Sequence, residues 1–530
     1  MEQVARRNRQ WTVRVRWKIL FVLLGAAGVA LRVWVHRSAL GIPDSDEAVV
    51  GLMVDHAMRG EPTTFFWGQA YGGSQEALLT VPVFWIAGSS WLTLRLVPIA
   101  LSVVAAVVVW RVGRRTIGEP AAGVAGGLAW IWPPFVIYKL THQWGFYASG
   151  TLYSALVLLL TLRLAERPSK ARAGTFGLIV GLALWQSAQL VPIVVTAIVW
   201  AVWRRRSVLR YAWIAAVFAV IGALPSIVWN VRNDWGSFMS PIEDTTTYLH
   251  RLRVFASPLL PMLLGLRTPF TQERLLPAIP TLLLYAAIAA LLAFGCFRAR
   301  RHNASLLYVV ALAFPFVYTL APATFFSSEP KYLVVLSPVV VLLVAQLATT
   351  YWRATAVVAV ALAVSIATLN RMETYFRTVP AQPPVAPRDL GPLISTLDRL
   401  GLDRVYADFW LAYSLTFDAR ERIIASQNKF TKLTFAGGQA VASRHPFIRY
   451  PPYERKVEAA RHGFVLFRES IAHGADRPPG PEASARVDEL ERFVSQLRAY
   501  GYRAHIAGPV VVYSLPPRSR PRSPAADTST

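Results

Sequence analysis

Cysteine is all but missing: Cys296 is the single one in 530 residues. That rules out an intramolecular disulfide and a cysteine-based metal site. Charge is scarce too, at 16% of residues, where an ordinary soluble protein carries ~25%. Acids are the rarer sign, 30 against 55 Lys and Arg. No internal repeat is visible, and no glycine-rich phosphate loop follows a strand within 385–515. The apolar runs hold almost no ionisable residues at their centres, which argues against the relays of a transporter or lipid flippase.

What fills the chain is hydrophobic sequence, 54% of it, with 18 Trp. The runs are repeatedly long enough to cross the ~30 Å hydrocarbon core of a bilayer, so this is an integral membrane protein. The net charge of +25 does not point to nucleic acid. Its arginines cluster between apolar runs: Arg111, Arg114 and Arg115; Arg163, Arg167, Lys170 and Arg172; Arg204, Arg205, Arg206 and Arg210; Arg298, Arg300 and Arg301. Such clustering sets topology by the positive-inside rule. Arg518, Arg520 and Arg522 belong to a solvated or headgroup-touching tail. Residues 1–18 are basic and cytoplasmic, and Arg32 follows the first run with no convincing small-residue cleavage site, as in a retained signal anchor.

Spans are expected at 19–35, 92–110, 120–138, 147–163, 174–187, 189–203, 211–229, 279–297, 305–321, 332–350 and 353–370. The polar Gln186-Ser187-Ala188-Gln189 is either a tight turn between two short helices or a break inside one. Counted as two, the total is about eleven spans, and every arginine cluster then falls on the cytoplasmic side. The external segments become 38–90, 139–146, 230–278, 322–331 and everything after 371. Within the first, Glu47–Met58 reads as an amphipathic surface helix closed by Gly60, and Leu78–Ala87 as a second interfacial helix. Residues 371–384 form a proline-containing linker, and 516–530 a disordered tail. Between them, 385–515 reads as a small α/β domain. Its helices are Leu393–Leu400, Phe409–Phe417 and Val487–Tyr500; its strands are Arg404–Ala407, Arg422–Ala425, Gly463–Phe467, Ala504–Ala507 and Val510–Ser514.

The residues able to carry chemistry collect outside the membrane. Pro43-Asp44-Ser45-Asp46-Glu47-Ala48 holds three carboxylates in four residues just past the first span. Asp44 suits a helix N-cap and Glu47 the third position of a capping box, which leaves Asp46 for a functional role. Phe65–Glu76 adds aromatics, paired glycines, Tyr71, Gln75 and Glu76. Lys331, after Ser327-Ser328-Glu329-Pro330, is either a phosphate ligand at a helix start or a snorkelling lysine paired with Glu329. His142 and Tyr147 share a short external loop with Trp144. Glu243, Asp244, His250, Arg251 and Arg253 read as a solvated segment.

An early Asp-Glu pair, about eleven spans and an external C-terminal domain resemble the GT-C class of membrane glycosyltransferases. The nearest resemblance is to the bacterial branch similar to protein O-mannosyltransferases and lipid A aminoarabinose transferases. It is carried over residues 40–200 by Gly60-Glu61-Pro62, Phe66-Trp67-Gly68-Gln69 and Tyr71–Ala77. Better-known relatives carry Lys-Pro-Pro or His-Pro-Pro late in the first loop, where this chain has Gly73-Ser74-Gln75-Glu76. The resemblance implies transfer of a sugar from a polyprenyl-phosphate carrier to a lipid, polysaccharide or protein acceptor, at the outer face of a plasma (inner) membrane. It maps the catalytic acid onto Asp46, its neighbour onto Glu47, and brings Asp44 with them. Lys331, Tyr71, Gln75, Glu76 and His142 are the donor-binding candidates. Hard carboxylate ligands at Asp46 and Glu47 suit a divalent metal, Mg or Mn; no other cofactor is implied. A non-catalytic envelope scaffold is the remaining alternative.

Overall fold

The computed structural model describes residues 2–239, 246–299, 302–321, 327–381, 385–443, 448–472 and 481–516. Glu243, Asp244, Arg300, Arg301, Arg518, Arg520 and Arg522 lie outside them. The chain forms two compact units, Met1–Ile42 with Val50–Thr378, and Pro43–Val49 with Val379–Thr530.

The first unit is helical. In order it holds α1 (Glu2–Arg37), α2 (Ser45–Met58, whose start belongs to the other unit), α3 (Gln75–Ala87), α4 (Trp91–Thr116), α5 (Ala121–Ile131), α6 (Pro134–Thr141), α7 (Tyr147–Glu166) and α8 (Lys170–Gln186). There follow α9 (Val191–Arg204), α10 (Ala212–Arg232), the short α11 (Tyr248–Val254) and α12 (Leu260–Leu264), α13 (Ala278–Ala299), α14 (Ser305–Tyr318), α15 (Ser337–Ala345) and α16 (Tyr351–Thr378). A hairpin of β1 (Phe65–Phe66) and β2 (Gln69–Gly73) separates α2 from α3.

All the expected spans are largely helical, but their lengths differ. Six helices among the described residues are long and apolar enough to cross a membrane, or seven if the bent pair α5–α6 is one span. Ala188–Arg204, Ser305–Tyr318 and Lys331–Ala345 are apolar but shorter. The 187–188 break parts two helices, with Ser187 Oγ accepting from Gln189 N at 3.3 Å. Helix α16 continues to Thr378, so the start of the expected linker is helical.

Trp132-Pro133-Pro134 interrupts α5 and α6, which meet at 59°. Proline has no N–H to continue the ladder, and carbonyls freed within a membrane need other donors. Arg32 of α1 supplies one to Trp130 O at 2.8 Å, and Ser365 of α16 supplies one to Ile131 O at 2.8 Å. The Arg32 guanidinium also lies 3.3 Å over the Trp130 ring. Ionisable groups near the ends of the spans are enclosed as well. Arg32 and Arg95 are both buried inside helices, Arg95 reaching His36 Nδ1 and Gly41 O at 3.1 Å.

The amphipathic surface reading of α2 is also corrected. Ala48, Val49, Val50, Leu52, Met53 and Val54 are all buried, so the helix is enclosed around its circumference. By contrast α3 is two-faced: Glu76, Ala77, Thr80 and Phe84 are buried while Leu79, Trp85 and Ile86 are exposed.

Helices α8 and α10 pack backbone to backbone. A Cβ on Gly181 would come within 2.0 Å of Ala219 O, and one on Gly177 within 2.0 Å of Ala215 O. This small-xxx-small spacing allows the close approach.

The second unit carries a five-stranded sheet in the order β4-β3-β7-β9-β8. Its elements are α17 (Gly391–Leu400), β3 (Arg404–Ala407), α18 (Phe409–Asp418), β4 (Ile424–Gln427), β5 (Leu433–Ala436), β6 (Gln439–Ala442), α19 (Pro451–Glu458), β7 (Gly463–Phe467), α20 (Arg468–Ala472), α21 (Pro481–Ala499), β8 (Arg503–Ala507) and β9 (Val510–Ser514). Strand β3 pairs in parallel with β4 and β7, while β9 runs antiparallel to β7 and β8. The β5–β6 hairpin turns on Gly437 and Gly438, both at positive φ, as a two-residue hairpin turn of the primed type requires.

The α8–α10 contact is open to a direct test. Gly181→Val should destabilise the detergent-solubilised protein by about 1–3 kcal/mol, read as a lower thermal midpoint. Gly25→Ala, where nothing lies within 4 Å of the added Cβ, should not. Equal midpoints for the two variants would contradict the close packing.

Candidate active site

Two constellations of polar side chains stand out, one in each unit. The first begins at the N-terminus of α7, where the leading N–H groups have no partners within the helix. Glu76 provides one from α3. Its Oε1 accepts from Ser149 N at 2.7 Å and from Ser149 Oγ at 2.6 Å. Gln186 at the end of α8 joins in, donating from Nε2 to Ser149 Oγ at 2.8 Å and to Gly145 O at 2.9 Å. Gln75 N donates to Gln186 Oε1 at 3.2 Å, Gln75 Nε2 to Leu182 O at 2.9 Å, and Tyr153 OH to Gln75 Oε1. Glu76 is 1% exposed. Gln75 and Glu76 therefore fasten α3 to α7 and α8 rather than face an open cleft. Tyr71, on β2, is exposed.

The loop entering α7 carries the next group. Lys139, on the last turn of α6, is buried, with Nζ 3.8 Å from the Trp144 ring centroid and 5.0 Å from that of Tyr147. Its Nζ lies 3.5 Å from Glu329 Oε2, and Lys331 Nζ lies 3.4 Å from Glu329 Oε1. One carboxylate is thus shared by two ammonium groups. Burial opposes the Glu329 charge, but the two lysines outweigh it and hold the carboxyl below its usual range. His142 stacks on Trp144 at 4.4 Å and 18°, with Nδ1 3.0 Å from Tyr138 O. Lys331 does pair with Glu329, and it does so together with Lys139, which the sequence reading left in a loop. An ionisable residue ending an apolar run was the available signal.

The second constellation holds the acidic stretch, because Pro43–Val49 lies within the C-terminal compact unit. Asp44 is the N-cap of α2, its Oδ1 accepting from Glu47 N at 2.9 Å. Glu47 is buried. Asp46, one-third exposed, accepts at Oδ1 from Arg449 Nη2 at 3.2 Å. Arg449 carried no signal in the sequence, being 403 residues away. A guanidinium against Asp46 and an enclosed Glu47 do not make a ligand set for Mg or Mn. No group of three or more His, Cys, Asp or Glu able to hold a metal occurs among the described residues.

The basic ends of the first unit gather at the other end of α7. Arg115 Nη1 donates to Glu166 Oε2 at 2.7 Å, Asn303 Nδ2 to Glu166 Oε1 at 3.2 Å, and Arg205 Nη1 to Glu166 O at 2.6 Å.

The helical unit and the small sheet-containing C-terminal unit together make a fold that is similar to solved structures. Residues 77–229 match the family model described as dolichyl-phosphate-mannose-protein mannosyltransferase. The fold is similar to that of ArnT from Cupriavidus metallidurans in the apo state, with TM-score 0.57, 16% identity and coverage of 94% of this chain and 97% of that one. The same protein bound to undecaprenyl phosphate gives TM-score 0.56, 17% identity and the same coverage of each chain, 94% and 97%. The Archaeoglobus fulgidus oligosaccharyltransferase is more distant, at TM-score 0.49 and 13% identity, covering 93% of this chain and 72% of that one. No curated protein matches the sequence.

The shared carboxylate yields a stability prediction. Glu329→Gln leaves buried Lys139 beside a neutral amide, and removing one partner of a buried pair typically costs about 3–5 kcal/mol. Lys331→Met should cost less, since Lys331 is the more exposed cation and Glu329 keeps Lys139. Thermal unfolding in detergent compares the two; the reverse order would contradict the shared-carboxylate arrangement.

Proposed function

We propose that the protein transfers a sugar from a polyprenyl-phosphate carrier to an acceptor hydroxyl on the outer side of the plasma membrane. The fold it has in common with ArnT, over nearly the full length of both chains, carries the reading. That relative's complex with undecaprenyl phosphate supports the choice of donor class. The gathering of Arg115 and Arg205 about Glu166 supports a cytoplasmic position for that end of α7. The Lys139–Glu329–Lys331 group, at the start of α7, is then extracytoplasmic.

A carrier phosphate is a good leaving group, so the chemistry asks chiefly for a base. Asp46 takes the proton of the acceptor hydroxyl as its oxygen attacks the anomeric carbon. The bond from that carbon to the phosphate oxygen breaks, and polyprenyl phosphate departs with the electron pair. A single displacement of this kind inverts the anomeric centre. Lys139 and Lys331 receive the phosphate. Their contacts to Glu329, at 3.5 and 3.4 Å, are longer than the ~2.7–2.9 Å of a tight charge-assisted bond. A more highly charged anion can therefore compete with Glu329 for both. His142 and Tyr71 are assigned to the donor side, while Gln75 and Glu76 hold the helices that frame it.

The test is incubation of purified protein with radiolabelled polyprenyl-phosphate sugars and membranes, followed by identification of the labelled product. Asp46→Asn should lower turnover by about 10²–10⁴-fold with donor affinity kept. Asp44→Asn should be mild, because Asn also caps helices. Lys139→Ala and Lys331→Ala should weaken donor binding. Absence of product from every donor, or full activity in Asp46→Asn, would sink the assignment.

A further inference from the structure

Arg449 is held as firmly as the carboxylate it meets. Its backbone N–H donates to Tyr413 OH at 3.0 Å and approaches Gln427 Oε1 at 3.5 Å; Tyr450 N donates to the same hydroxyl at 3.3 Å. Its guanidinium stands 5.2 Å from the Phe409 ring centroid and is 14% exposed. Tyr413 is buried on α18, Phe409 opens that helix directly after β3, and Gln427 ends β4. All three therefore mark the carboxyl edge of the parallel strands β3 and β4, with β7 paired on the other side of β3. At such an edge, where connections leave the sheet in opposite directions, open α/β sheets present their working groups.

Asp46 comes to this edge on the first turn of α2, whose N-terminus Asp44 caps. Among the described residues, the hydrogen bond to the Asp46 side chain is the one from Arg449 to Oδ1. The contact is single rather than bidentate, and at 3.2 Å it is longer than a tight ion pair. It adds little to stability where one partner is partly exposed. Its consequence is directional: Arg449 engages Oδ1, and Oδ2 is the oxygen outside that contact.

We infer that Arg449 is a positioning residue for Asp46, a cation docked on the edge of the C-terminal sheet that orients the carboxylate for proton transfer. The inference rests on Asp46 being the base. The acceptor proton passes to Oδ2, and Arg449 keeps its own protons throughout. Arginine suits the task better than lysine because its planar fork is rigid and packs against an aromatic face.

The experiment is a double-mutant cycle on the full-length protein in the sugar-transfer assay, with Arg449→Met, Arg449→Lys, Asp46→Asn and the double variants. Arg449→Met should lower turnover by up to about 100-fold, the scale of a misplaced catalytic group, with KM for the donor nearly unchanged. Arg449→Lys should restore part of the loss. In the Asp46→Asn background either Arg449 change should cost nothing more, since a residue acting through Asp46 has nothing left to orient. If Arg449→Met does not fold, the Arg449→Lys arm of the cycle decides by the same rule. Losses that multiply in the double variant, or a loss confined to KM, would overturn the inference and put Arg449 on a substrate directly. Wild-type turnover in both Arg449 variants would overturn it alone. A wild type that transfers no sugar brings down the glycosyltransferase reading as well, and an active Asp46→Asn brings down the base assignment; the three failures are thereby told apart.

Discussion

A buried carboxylate holding a helix end is the interaction on which the first unit turns. Glu76 enclosed by itself would bear a heavy desolvation cost, and the leading N–H groups of α7 would be orphaned in apolar surroundings. Brought together through Ser149, each offsets part of the other's penalty, and the positive end of the α7 dipole adds to the attraction. Burial still holds the Glu76 carboxyl above its usual range. Gln186 extends the same network to α8 and to the Gly145 carbonyl. The loop from His142 to Phe146 is thus anchored at its far end, and that loop sets Trp144 against Lys139.

At its near end the loop depends on a break in a helix. The Trp132-Pro133-Pro134 interruption turns α6 by 59° from α5, and membrane surroundings permit this only because Arg32 and Ser365 meet the freed carbonyls. An arginine buried among helices would otherwise suggest an ion pathway. Here its donors go to Trp130 O, Gly28 O and Ser102 Oγ, so the charge serves the break. Lys139, eight residues after the freed Ile131 carbonyl, reaches Glu329 from the redirected helix.

Much of this was legible from the chain alone, where the signal was local. Apolar runs marked the helices, because lipid demands long uninterrupted hydrophobicity. Asp44 followed by Glu47 gave the α2 N-terminus, since capping is decided within four residues. Strands β3, β7 and β9 matched their sequence bounds, since their β-branched and aromatic content is itself the signal. What stayed hidden depended on distance or on the outer surface. Glu76 reads as a loop acid until Ser149 is placed beside it. The enclosure of α2 depends on what surrounds it, which its own periodicity does not report. The β5–β6 hairpin did have its Gly437-Gly438 turn on view, and went unassigned among polar neighbours.

The placement of the acidic stretch changes how the C-terminal domain is understood. Because Pro43–Val49 is one compact unit with Val379–Thr530, the first-loop acid and the C-terminal sheet are parts of a single unit. Helix α2 is continuous from Ser45 to Met58 and so is shared by both units. Within the second unit the acid on the first turn of α2 meets Arg449 beside the sheet. One long ion pair adds little to stability by itself, so the effect of the contact lies in direction. The contact meets a carboxylate that stays partly open to water, and this is in keeping with the proposal that Asp46 is the base.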